Sequence, residues 1–129
     1  MSSMKEEGVF LSMEDMQVAP NFNRGEFSCS CGCGFMAVDV TLIAMSQLLR
    51  NEFGVCTVRS GCRCLDYNKT VPNANLNSYH TKGMAVDISF KNGNVHEWER
   101  AINEFGFGEW VQVVKYEDDN FIHVELDMN

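Results

Sequence analysis

The stretch Ser78-Tyr79-His80-Thr81-Lys82-Gly83-Met84-Ala85-Val86-Asp87-Ile88 decides how the rest of the chain reads. It holds a histidine and a carboxylate seven positions apart. His80 follows the polar, turn-like run Asn73-Ala74-Asn75-Leu76-Asn77, and Asp87 falls inside a run, Met84 to Phe90, that reads as a strand. Along that strand Met84, Val86 and Ile88 share one face, and Ala85, Asp87 and Ser89 share the other. A loop residue and a strand residue can converge on one metal ion if Gly83 lets the backbone bend back between them. They lack a third ligand, and His123 near the far end offers one.

Downstream, Asn94 opens a helix, with Glu97 three residues on as a capping-box partner. Trp98, Ala101, Ile102 and Phe105 fall on one face of it, and Gly106 ends it. Val111 to Tyr116 and Phe121 to Leu126 read as a hairpin around the polar turn Glu117-Asp118-Asp119-Asn120. In its second strand Phe121, His123 and Glu125 share a face, opposite Ile122, Val124 and Leu126.

Upstream, residues 39 to 53 read as a helix on the three- and four-residue spacing of Leu42, Met45, Leu49 and Phe53, with Leu48 beside them. Asp39 or Thr41 can cap its start and Gly54 can close its end. Val55 to Arg59 is a short strand, Ser60 to Cys64 turns away from it, and residues 65 to 79 read as a loop. Residues 1 to 37 read as an irregular arm, pinned to the body by Phe10, Phe22, Phe27 and Phe35.

The bulk properties bound the partners. One domain is expected of 129 residues, spanning 1–129. Ten basic against eighteen acidic residues give a net charge of −8, which argues against nucleic acid and anionic membrane surfaces. No apolar run approaches the ~20 residues of a membrane span. No apolar segment follows Met1-Ser2-Ser3-Met4-Lys5-Glu6-Glu7, so a cytoplasmic site of synthesis is expected. The expected partner is a peptide substrate, taken by a monomer. Six cysteines lie in two groups, Cys29, Cys31, Cys33 and Cys56, Cys62, Cys64. Reduced thiols, disulfides and a thiolate metal site all remain open, although C-x-C-x-C is tighter than the usual C-x₂₋₄-C of zinc knuckles.

Two imidazoles and a carboxylate form the ligand set of an open catalytic zinc site. His80, Asp87 and His123 supply that set, against the plainer reading of each as an ordinary core or surface residue. Glu117 is the first candidate for a general base, with Asp118, Asp119 and Glu125 as rivals. Arg63 and Arg59 are candidate cations for a developing oxyanion. His96, on the polar side of its helix, reads as a surface residue.

The segments Ser60-Gly61-Cys62-Arg63-Cys64, Ser78-Tyr79-His80 through Gly83, Ala85-Val86-Asp87-Ile88 and Phe121-Ile122-His123-Val124 together resemble the D-alanyl-D-alanine carboxypeptidase family of zinc peptidases. That family includes VanX- and VanY-like enzymes and small phage endolysins, and the zinc domain of hedgehog proteins is similar. Glu26-Phe27-Ser28-Cys29-Ser30-Cys31-Gly32-Cys33-Gly34 resembles a leader common among small members. The resemblance implies zinc on His80, Asp87 and His123, transition-state stabilisation by Arg63, and substrate binding by Ser78 and Arg63. It implies Glu117, six positions before His123, as the base, since the acidic position three before His123 in other members is Asn120 here. The implied fold is small α+β: an antiparallel sheet of residues 55–59, 84–90, 111–116 and 121–126, packed on one side by two helices, with zinc on the open face.

The expected activity is hydrolysis of a bond in peptidoglycan stem peptides, by a D-Ala-D-Ala carboxypeptidase or an L-Ala-D-Glu endopeptidase of endolysin type released to the wall by a phage holin. Two other classes stay in view. One is a non-catalytic, hedgehog-like zinc-binding module; the other is a virion structural protein whose cysteines carry the fold.

Overall fold

Burial alternates along the strands much as their sequences do, and this fixes which side of the sheet meets the core. The computed structural model describes residues 15–72, 74–75 and 78–127. The expectations for residues 1–14, Phe10 included, and for Asn73, Leu76 and Asn77 lie outside the described residues. The elements are β1 (Gln17–Ala19), β2 (Phe22–Asn23), α1 (Val40–Phe53), β3 (Cys56–Ser60), α2 (Leu65–Asn68), β4 (Ala85–Phe90), α3 (Val95–Glu104), β5 (Val111–Tyr116) and β6 (Phe121–Leu126). Four strands form one antiparallel sheet in the order β3-β4-β6-β5, giving the α+β class.

The core lies on one side of this sheet. Val86 and Ile88 of β4 and Ile122 and Val124 of β6 are fully buried together with Leu42, Met45 and Leu49 of α1 and Trp98 and Ile102 of α3. Large apolar side chains of this kind contribute roughly 1.5–3 kcal/mol each on full burial. Asp39 caps α1 by accepting from Thr41 N at 2.8 Å. The Asn94 side chain caps α3 by accepting from both His96 N and Glu97 N. Both helices are therefore started where the sequence predicts.

Two regions differ from expectation. The described part of the arm is not wholly irregular: β1 and β2 pair as a small antiparallel ribbon, and a 3₁₀ turn follows over Arg24–Phe27. Phe22 and Phe27 are buried as anchors. The asparagine-rich loop also contains helical turns. Cys64 starts α2 by accepting from Tyr67 N through its sulfur at 3.3 Å, a capping role that a residue-type reading assigns to Ser, Thr, Asp or Asn. Ser78 starts a 3₁₀ turn, Tyr79–Lys82, by accepting from His80 N. Gly83 closes that turn in the left-handed region at φ +70°, and the chain enters β4 two residues later.

Candidate metal centre

β4 and β6 pair in a register that sets Asp87 directly across from His123. Both lie on the face opposite the core. The turn held by Ser78 and Gly83 brings His80 to the same spot, so that donor atoms of His80, Asp87 and His123 all lie within 4.8 Å of one another. Asp87 Oδ1 is 3.3 Å from His80 Nε2 and 2.8 Å from His123 Nδ1. The edge of a tetrahedron with zinc–nitrogen bonds of about 2.05 Å is ~3.3 Å, which the His80–Asp87 spacing matches, whereas the His123–Asp87 spacing is that of a hydrogen bond and would open to admit an ion.

Each imidazole has a second partner that fixes its ring. His80 Nδ1 donates to the carbonyl of Gly61 at 2.6 Å, which leaves Nε2 as the atom facing Asp87. His123 Nε2 donates to Glu125 Oε1 at 2.7 Å, which leaves Nδ1 facing Asp87. With these outer partners the two inner ring nitrogens and a carboxylate oxygen face one another; in the metal-free protein a proton on His123 Nδ1 satisfies the 2.8 Å contact to Asp87, and a metal ion would take its place. The outer partners, one carbonyl and one carboxylate, follow the pattern of metal-ligating histidines. Glycine is required at position 61, since a Cβ there would stand 2.3 Å from the carbonyl oxygen of Phe27.

The electrostatics agree. Burial alone would raise the Asp87 carboxyl, but hydrogen bonds from His123 and His80 outweigh it and bring it down to about 2. Burial opposes charge on His123, and its bonds to Asp87 and Glu125 overcome that and raise it.

The trio opens into a cavity of about 510 Å³ whose lining includes Arg63, Pro72, Ser78, Tyr79, Tyr116 and Glu125. Arg63 is the one Lys or Arg side chain lining it among the described residues. Its guanidinium donates to Ser60 Oγ and Asn68 Oδ1, and Nη2 stands 3.9 Å from Asp87 Oδ2. Asn68, fully buried, passes the contact on by donating to the carbonyl of Asn75. No signal in the loop sequence singles out Asn68 from its neighbouring asparagines.

The other sequence candidates lie elsewhere. Glu117 does not line the cavity: its Oε1 accepts from His96 Nε2 at 2.6 Å, and its side chain is 68% exposed. Strand alternation explains this. Glu117 continues the parity of Val111, Val113 and Lys115, the face turned toward α3, where Lys115 pairs with Glu99. Tyr116, of the opposite parity on β5, and Glu125, on the His123 face of β6, line the cavity. Arg59 is at the hairpin tip, donating to the carbonyl of Asp119 and covering the Phe121 ring at 4.2 Å. Asp118 and Asp119 belong to the turn between β5 and β6.

A family model described as Peptidase M15 matches residues 20–125, nearly the whole chain. No curated protein and no solved structure matches at a significant level.

Proposed function

From the premise that the chain belongs to the peptidase M15 family, we propose that it is a zinc peptidase hydrolysing a peptide bond in peptidoglycan stem peptides. The observation that carries this reading is the convergence of His80, Asp87 and His123 at the floor of a cavity, with an acceptor behind each imidazole. In this reading those three hold the metal. Zinc in such a site supplies an activated water and a Lewis acid for the scissile carbonyl.

The chain's own groups do the rest. Gly61 and Glu125 keep both rings in the tautomer that binds a cation. Arg63, held at two points by Ser60 and Asn68, presents a fixed positive charge to a carbonyl oxygen that becomes an oxyanion. Ser78 acts by shaping the turn that carries His80 and by lining the cavity. A cavity of about 510 Å³ suits a short peptide, and its mixed polar and apolar wall suits a stem-peptide end. The carboxylate beside the trio is Glu125, on the far side of the His123 ring from Asp87, and it replaces Glu117 as the hairpin residue serving the site.

A second reading is a module that binds zinc without hydrolysis. It is favoured by the contact of Glu117 with His96 and by Asn120 at the position three before His123. Mass analysis of defined muropeptides incubated with the zinc-loaded protein separates the two. Loss of a terminal D-Ala marks a carboxypeptidase, and release of the stem from its L-Ala marks an endopeptidase. Intact muropeptides beside a stoichiometric zinc ion would leave the binding module as the correct reading.

A further inference from the structure

Four of the six cysteines meet at one place outside the cavity. The sulfurs of Cys29, Cys31, Cys33 and Cys64 all lie within 4.8 Å of one another. Cys29 and Cys31 are 3.5 Å apart, and Cys31 and Cys64 are 3.8 Å apart. A tetrahedral zinc ion with zinc–sulfur bonds near 2.3 Å sets its sulfurs ~3.8 Å apart. A disulfide would instead need about 2.05 Å. All six cysteines are free thiols here.

The backbone around the cluster is shaped to present sulfur. Gly32 and Gly34 alternate with the cysteines at φ +82° and +92°, and a Cβ on either would touch nothing. These glycines therefore serve the left-handed backbone, which curls three near-neighbour cysteines around a common point. The curl is closed by Cys29 N donating to the carbonyl of Phe35 and Gly32 N to that of Cys29. Two sulfurs also receive backbone N–H groups: Cys64 N reaches Cys29 Sγ at 3.4 Å and Tyr67 N reaches Cys64 Sγ at 3.3 Å. Donors of this kind steady the negative charge of a metal-bound thiolate. The remaining cysteines stand apart, Cys62 donating to the carbonyl of Phe35 and Cys56 lying on β3.

We propose that Cys29, Cys31, Cys33 and Cys64 form a second, structural zinc site that clips the N-terminal arm to the Gly61–Cys64 segment. Four thiolates in a closed tetrahedral set leave no position for water, which makes the site structural. Its position gives it a purpose. The segment it grips contains Gly61, whose carbonyl orients His80, and Arg63, which borders Asp87. Phe27, on the arm side, already accepts from Cys62 N at 2.9 Å. The metal would lock that approach and so hold one wall of the cavity.

The test is metal content and cobalt spectroscopy on the full chain, purified under reductant and loaded with Zn²⁺ or Co²⁺ alone. Two zinc ions per chain are expected in the wild type and in Cys56→Ser, and one each in His80→Ala and in the Cys31→Ser/Cys33→Ser double variant. Cobalt in the wild type and in His80→Ala should give an intense near-ultraviolet sulfur-to-cobalt charge-transfer band. If the double variant does not fold, those two spectra decide the matter. One zinc or fewer in the wild type, with all the cluster thiols reacting freely in the folded protein, would overturn the proposal. So would a disulfide between cluster cysteines in the reduced preparation, or cobalt bound with no sulfur band.

Discussion

The two clusters of metal-donor side chains in this molecule stand on opposite kinds of backbone. His123 and Asp87 sit on paired strands, where register and alternation dictate what faces what. Cys29, Cys31, Cys33 and Cys64 sit on loops, where two left-handed glycines and a few backbone hydrogen bonds do the same work. The strand-borne cluster opens into a cavity and has room for a substrate, whereas the loop-borne cluster closes upon itself. The two share the Gly61–Cys64 segment, which supplies an acceptor to His80 and a sulfur to the cysteines. On the readings proposed above, the contrast is between a metal site that leaves a coordination position open and one that leaves none.

The largest effect should come from breaking the strand-borne cluster at its centre. Asp87→Ala removes the carboxylate that both imidazoles face. It should abolish hydrolysis and cost one zinc per chain while leaving the cysteine-bound ion in place, as read by metal analysis beside muropeptide digestion. Arg63→Ala comes next. It should keep both metals and lower kcat by about 10²–10³, the usual cost of losing an oxyanion donor, and Arg63→Lys should restore little because the forked contacts to Ser60 and Asn68 are lost. Glu125→Gln should weaken zinc affinity or activity by roughly 10–100-fold, measured by competition with a chelator.

What the sequence made legible follows the same division. The faces of β4 and β6 could be read from alternation, and with them the pairing of Asp87 and His123 on one side. Both long helices were legible from their caps and spacing. Glu117 was favoured by its place six residues before His123 and by the resemblance, yet the parity of Val111, Val113 and Lys115 sets it on the α3 side. The same alternation sets Tyr116 on the site face of β5, beside Glu125, whose place on the His123 face of β6 was already legible. The cysteine cluster was hidden for another reason. Its fourth member lies 31 residues after Cys33, and its spacing matches no knuckle pattern, so only the folded arm brings the sulfurs together. Asn68 was hidden likewise, because burial singles it out and composition does not.

Acid and base sharpen the contrast further in the metal-free protein. The Asp87 carboxyl is lowered in the fold to about 2, so it stabilises above its unfolded pKa. That contribution, on the order of 2 kcal/mol, should be lost as pH falls from about 4 through 2. His123 is raised, so its contribution is full below its unfolded pKa and is lost as pH rises through the folded one. Zinc at the trio must displace that proton, so its affinity should fall as the solution is acidified. Denaturation midpoints across pH, with and without zinc, check both signs. The smallest effect is expected for Glu117→Ala, whose exposed contact with His96 is worth no more than about 1 kcal/mol. Hydrolysis should be unchanged, and its loss with zinc retained would mean that the hairpin tip turns into the cavity during the reaction.

The measurement that bears most directly on the reading of this protein as a zinc peptidase is reconstitution. Protein stripped by chelator would be titrated with zinc while cleavage of a defined stem peptide is followed by mass, with Asp87→Ala in parallel. Cleavage that appears with zinc in the wild type and stays absent in Asp87→Ala is the expected result. Equal cleavage in both proteins, or none in a wild type carrying its full complement of zinc, would contradict it.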